Sequence, residues 1–289
     1  MRGLRLAVAC AGAVAACVSV AQAQWAGDRV LAPVIQAEIP HDTAAFTQGL
    51  LWLEGRLYES TGLYGASSLR ELDPVSGAVT RRVPVPDRYF AEGLAWYRGA
   101  FLQLTWKEHT LLRWPRDFGS AARAASGTSA PTSTPSSASS RALPPGVGAS
   151  SYSGEGWGLA TVVTGRDTAL WMSNGSDTLY RRVLRNGRFD VTARVAVRWK
   201  GRPLTRLNEL EGARGRIIAN VWYSDSLFVI DPRDGRVTAV IDGTALAARS
   251  GRRSFHDVMN GVAWDPAKDD FYLTGKNWPK MFRVKLPPF

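Results

Sequence analysis

Phe90-Ala91-Glu92-Gly93-Leu94-Ala95-Trp96 sets a polar residue and a glycine immediately ahead of a half-buried apolar strand. The phrase returns four times, as Gln48-Gly49-Leu50, Gly156-Trp157-Gly158-Leu159, Glu211-Gly212-Ala213 and Asn260-Gly261-Val262. With Gly49, Gly93, Gly158, Gly212 and Gly261 as markers, the intervals are 44, 65, 54 and 49 residues. Each phrase leads to a second strand with a matching end: YESTG (58–62), LQLTW (102–106), LWMSNG (170–175), IIANVW (217–222) and FYLTGK (271–276). A third strand follows each time, as in SSLRELD (67–73) and SLFVID (226–231). Asp73-Pro74-Val75-Ser76-Gly77 and Asp231-Pro232-Arg233-Asp234-Gly235 then read as turns into a fourth strand.

Four strands in a repeat of this length are the mark of a β-propeller blade. The expected fold class is therefore all-β, a five-bladed β-propeller with four-stranded antiparallel blades. Leu51, Leu53 and Leu57 interleave with polar or glycine positions, and no helical period of comparable length competes. A β-sandwich with chance Gly-Leu steps would not repeat in register five times.

The longest interval has a compositional cause. From Gly119 to Ser153 the chain is mostly Ser, Ala, Thr, Pro and Gly, with Arg123 and Arg141 as its only charges in the middle of that run. Such a stretch cannot offset the entropy of ordering, so a disordered insertion is expected at about 119–153 within a single propeller domain, 24–289. Residues 1–23 read as a signal peptide: Arg2 and Arg5, an apolar run Leu6 to Val20, then Ala21-Gln22-Ala23 as a cleavage site. The expected location is exported, periplasmic or secreted, with lipid anchoring at Cys17 as the lesser alternative. No other segment suits a membrane span.

Cys10 and Cys17 are the only cysteines, and His41, His109 and His256 stand far apart. Disulfide frameworks, cysteine zinc fingers and HExxH sites are thereby excluded, and no metal or other cofactor is expected. The net charge of +11 comes from 30 Arg and 6 Lys against 25 acidic residues. The arginines are scattered, with no basic run beyond pairs such as Arg81-Arg82, so nucleic acid is not an expected partner. A monomer is expected.

In a propeller the innermost strands line a central channel. Gln48, Glu92, Trp157, Glu211 and Asn260 precede the marker glycines, Phe46 and Phe90 begin inner strands, and Trp106, Trp222 and Lys276 end second strands. Aromatic walls around a few polar groups make a small-ligand site. Trp52, Trp96, Trp171 and Trp264 are assigned instead to packing between blades.

FTQGL (46–50), YFAEGLAW (89–96), LQLTW (102–106), NELE (208–211), IIANVW (217–222), MNGVAW (259–264) and FYLTGKNW (271–278) together resemble the plant- and bacterial-type glutaminyl-peptide cyclotransferases. The resemblance runs from Phe46 to Trp278 in order, apart from the insertion. It implies a five-bladed propeller and peptides or proteins with N-terminal Gln as substrates. The implied reaction turns that Gln into pyroglutamate with release of ammonia, by metal-independent acid/base catalysis.

The α-amine attacks its own side-chain amide carbonyl, which demands a curled substrate, donors for the oxyanion and a proton moved to the departing nitrogen. Glu92 is the choice for the proton shuttle, since apolar walls raise a carboxyl toward working pH. Glu211 is the second candidate, although the resemblance points to Asn208 as the residue facing substrate. Lys276, the one cation in the set, is assigned to the oxyanion, though a solvated lysine at a strand end is its ordinary reading. Phe46, Gln48, Phe90, Trp106, Trp157, Asn208, Trp222 and Asn260 are assigned to substrate binding. The rival readings are a metal-dependent propeller hydrolase or lactonase and a non-catalytic propeller binding module.

Overall fold

A computed structural model describes residues 29–119 and 142–289. The expected leader, Cys17 and the centre of the Ser/Ala/Thr/Pro-rich stretch lie outside the described residues.

The fold is all-β, made of short antiparallel units. Unit one is β3 (Thr47–Leu53), β4 (Arg56–Thr61), β5 (Ser68–Leu72) and β6 (Val79–Pro84). It is preceded by β1 (Arg29–Leu31) and β2 (Val34–Pro40). Unit two is β7 (Ala91–Tyr97), β8 (Ala100–Thr105), β9 (Thr110–Pro115) and β10 (Gly148–Ser151). Unit three is β11 (Leu159–Thr164), β12 (Asp167–Met172), β13 (Thr178–Arg185) and β14 (Arg188–Ala196). Its outer edge meets β10, so the two units form one eight-stranded sheet whose end strands adjoin.

The small hairpin β15 (Arg198–Trp199) and β16 (Arg202–Pro203) leads to unit four. That unit is β17 (Leu207–Ala213), β18 (Arg216–Val221), β19 (Ser226–Ile230) and β20 (Val237–Asp242), with β1 added in parallel at its edge. The one-and-a-half-turn helix α1 (Thr244–Arg249) precedes β21 (Met259–Asp265), β22 (Asp270–Gly275) and β23 (Lys280–Lys285). Strand β2 completes that last sheet by pairing with β23, so the start of the chain closes against its end. Trp52 stacks on Tyr272 at 5.2 Å across the same closure. Among the described residues, no helix is long and apolar enough to cross a membrane.

Strands β3, β7, β11, β17 and β21 adjoin in that order, and β21 returns to β3. The marker glycines are the reason they can approach so closely. A Cβ on Gly93 would stand 2.4 Å from Leu159 N, and one on Gly158 would stand 2.0 Å from Asn208 O. Backbone cannot yield to such contacts, so only glycine fits.

The structure corrects the fourth marker. In β7 and β21 the pairing skips two residues, Glu92-Gly93 and Asn260-Gly261, and in β17 the skipped pair is Asn208-Glu209. The counterpart of Glu92 is thus Asn208, three residues before Glu211. Glu209 takes the glycine's place because its side chain crosses the middle of the ring. One carboxyl oxygen accepts from Leu50 N at 3.3 Å and the other from Val262 N at 3.1 Å.

The end of the expected insertion is a second correction. Residues 148–151 are strand β10, aligned antiparallel with β9 from Gly148 opposite Arg113 to Ser151 opposite Thr110. Tyr152 is buried, with its hydroxyl donating to Thr105 O. Gly-Ala-Ser-Ser has no strand preference of its own; the open edge of β9 supplies the order.

Candidate active site

Phe46, Gln48, Phe90, Glu92, Trp106, Trp157, Asn208, Trp222 and Lys276 line one cavity of about 220 Å3. They come from the starts of first strands and the ends of second strands, which the ring of glycines draws to a common end of the fold. Every residue assigned to catalysis or substrate binding from sequence lines this cavity except Asn260, and Glu211, the second candidate for the proton shuttle, lies outside it as well.

Asn260 stands behind the wall. It is fully buried, and its Nδ2 donates to Thr47 O at 2.9 Å and to Gln48 Oε1 at 3.2 Å. Gln48 Nε2 in turn donates to Glu92 Oε1 at 2.9 Å. Asn260 therefore orients Gln48 from behind the wall, while its own Oδ1 is buried and bonds to no group among the described residues.

Glu92 is held from the backbone side as well. Trp114 Nε1 donates to Gln103 Oε1 at 2.9 Å, Gln103 Nε2 to Ser60 Oγ at 2.8 Å, and Ser60 Oγ to Glu92 O at 2.5 Å. Burial raises the Glu92 carboxyl well above the usual carboxylate range; the Lys276 charge opposes this, and those of Glu108 and Glu155 add to it. Lys276 is 5% exposed, with its Nζ 4.6 Å from the centre of the Phe46 ring. Burial brings its ammonium down to about 8, against the pull of Glu92.

Asn208 is buried beneath the cavity, and among the described residues its side-chain amide bonds to no protein group. Its backbone is fixed instead, with Asn208 O accepting from Ser173 Oγ at 2.6 Å. Phe90 packs edge-on to Phe46 at 6.1 Å and lies 5.5 Å from Trp106, while Trp157 meets Trp222 edge-on at 5.7 Å.

Glu211 does not reach the cavity. Its Oε1 accepts from Trp264 N at 2.9 Å, and burial raises the carboxyl to about 8 against the hydrogen bonds from the Trp264 and Gly212 backbone. Glu209 is likewise buried and raised well above the usual range, by burial and then by the charge of Glu211.

Three residues passed over in the sequence support the walls. Glu155 Oε2 accepts from both Trp106 Nε1, at 2.9 Å, and Trp157 Nε1, at 3.0 Å. Tyr64 lies against Phe90 and donates to Glu108 Oε1 at 2.6 Å, which pushes its hydroxyl up to about 12. Glu155 adjoins the marker phrase Gly156-Trp157-Gly158, and two nearby indoles in need of an acceptor are the signal that could have found it.

The cavity thus joins a carboxyl raised by burial to an ammonium, two amides and aromatic walls. That set suits a reaction that develops an oxyanion and moves one proton between two nitrogens. Among the described residues, no three His, Cys, Asp or Glu side chains converge as a metal site.

A sequence profile for the family described as glutamine cyclotransferase matches residues 7–126 and 140–286. The glutaminyl-peptide cyclotransferase of Arabidopsis thaliana is 37% identical over 256 residues, covering 87% of this chain and 70% of that protein. The crystal structure of Myxococcus xanthus glutaminyl cyclase is 32% identical and superposes with a TM-score of 0.72, over 90% of this chain and 98% of that one.

Proposed function

The chain belongs to the glutamine cyclotransferase family and closes the N-terminal glutamine of peptides into pyroglutamate, releasing ammonia; from that premise we propose that Glu92 shuttles the proton and Lys276 faces the oxyanion, without a catalytic metal. The observation that carries this reading is the convergence of Gln48, Glu92, Asn208 and Lys276 in one aromatic cavity. Its volume is below the roughly 300 Å3 at which pockets for drug-sized ligands begin, so a single curled residue is the suitable occupant.

The incoming α-ammonium gives a proton to the Glu92 carboxylate and becomes the neutral nucleophile. Its nitrogen bonds to the γ-carbonyl carbon while Lys276 draws the oxygen's developing charge. Glu92 then gives its proton to the amide nitrogen as the carbon–nitrogen bond breaks, and takes one back from the new ring nitrogen. The attacking nitrogen has lost two protons: one has gone to the departing nitrogen, and the other passes from Glu92 to the released ammonia, which leaves as ammonium and restores the carboxylate. Asn208 and the Gln48 amide hold the substrate, and the aromatic walls enclose its aliphatic stem.

The same reading takes the fold as a five-bladed propeller. Supporting it are the closed succession β3, β7, β11, β17, β21 and the four antiparallel strands attached to each position.

The test is to incubate purified protein with a Gln-initiated peptide under prolonged chelation, following ammonia release and the matching mass loss. Undiminished cyclisation is expected. Loss restored specifically by zinc would sink the metal-free mechanism, and an uncyclised peptide under all conditions would sink the activity.

A further inference from the structure

The cavity holds one residue, so the rest of a peptide must leave through its mouth. Trp222 is the lining residue most open to solvent, at 37% exposure. From it a ladder of rings runs outward. Tyr223 stacks on Trp222 at 4.6 Å, and Phe255 stacks on Tyr223 at 5.0 Å with an interplanar angle of 12°. Phe255 is 75% exposed.

This ladder is built, not incidental. Tyr223 has a φ of +67°, a conformation that a bulky side chain adopts only when its surroundings impose it. Its hydroxyl pairs with His256 Nδ1 at 3.0 Å. The loop carrying Phe255 is pinned by Asp257, whose Oδ2 accepts from Arg253 N at 3.0 Å and Ser254 N at 2.9 Å. An exposed aromatic ring on a fastened loop, continuous with the wall of a peptide-binding cavity, has the character of a recognition surface.

We propose that Trp222, Tyr223 and Phe255 form a second subsite, which takes an aromatic side chain from the second or third residue of the substrate peptide. An extended chain advances about 3.3–3.6 Å per residue, so two ring-to-ring steps lie within reach of those positions. The subsite deepens the cyclotransferase reading and rests on it for the direction in which the peptide runs.

The test compares Gln-Phe-Ala-amide and Gln-Gly-Ala-amide as substrates of the natural chain and of Phe255→Ala, which leaves the cavity lining untouched. Their pyroglutamyl products, which cannot react further, are titrated in parallel by tryptophan fluorescence. In the natural chain the aromatic peptide should lead by about two- to tenfold in kcat/KM and in product affinity, the range for one aromatic contact. In Phe255→Ala that lead should shrink toward unity, with the glycine peptide unchanged. Equal preference in both proteins overturns the subsite while leaving the activity standing. Aromatic-selective product binding without any turnover upholds the subsite and overturns the activity.

Discussion

Gln48 Nε2 donates a 2.9 Å hydrogen bond to Glu92 Oε1, joining the first strands of two adjacent four-stranded units at the cavity wall. Because Asn260 donates to Gln48 Oε1, the Gln48 amide has only one orientation, with its NH2 toward Glu92. One oxygen of the carboxyl is thereby occupied, and on the proposed mechanism the other would face substrate. On the proposed mechanism this arrangement would aim the carboxyl before substrate arrives, so that little reorganisation accompanies proton transfer.

If Lys276 faces the oxyanion as proposed, it should set the alkaline limit. Its ammonium, brought down to about 8, is charged below that pH and lost above it, while the substrate amine becomes neutral near the same region. Turnover should therefore peak and then fall as pH rises through about 8. Lys276→Arg keeps its charge throughout, so the alkaline fall should move well upward even if the peak rate drops. An unmoved limb would remove Lys276 from the oxyanion role.

Glu155 accepts from two indoles of the cavity wall, and on the proposed function it should act on substrate only through them. Glu155→Gln retains a carbonyl oxygen to accept from Trp106 and Trp157, and should stay within about threefold of natural KM. Glu155→Ala leaves both indoles without that acceptor, a loss of about 1 kcal/mol per hydrogen bond. Its KM should rise roughly fivefold or more, with a smaller change in kcat. Equal kinetics in the two variants would show that the shared acceptor is dispensable.

Glu211 gives the fold a pH signature. Its folded carboxyl, raised to about 8, keeps its proton where the unfolded one, with an ordinary value of 4.5, has lost it. The stability this contributes is complete below about 4.5 and is lost as pH rises to about 8. Glu209, also raised, acts in the same direction. Thermal melts of Glu211→Gln should fall less steeply than the natural chain across that window. Parallel curves would contradict the assignment.

The low-complexity stretch divides into two parts with different consequences. Replacing 120–141 with a short Gly-Ser linker should leave Tm nearly unchanged, because closure entropy grows slowly with loop length. Extending the replacement through Ser151 removes β10 and its pairing with β9, and should lower Tm by several degrees. Identical melts would mean that β10 contributes nothing.

Most of the cavity was legible because its geometry constrains residue type. Close approach of first strands demands glycine, and a small polar cavity with aromatic walls leaves an unusual set of side chains beside those glycines. The signal failed where a side chain substitutes for the glycine: Glu209 occupies that place, so the eye passes to Glu211-Gly212 three residues on. Asn260 looked like a wall residue because periodicity gives a side chain's place along a strand, not whether a neighbour already claims it. Strand β10 draws its order from the edge it joins, and Glu155 acts through the meeting of two distant indoles, so neither leaves a local pattern.

The most direct measurement is ammonia release from a Gln-initiated peptide by the natural chain and by Glu92→Gln, matched for thermal stability and cavity occupancy by bound pyroglutamyl product. The amide introduced by that substitution can still meet Gln48 but cannot carry the proton. The natural chain should cyclise the peptide, and the variant should be slower by at least about a hundredfold in kcat while binding product comparably. A variant that folds, binds and turns over at the natural rate would contradict the assignment of proton transfer to Glu92.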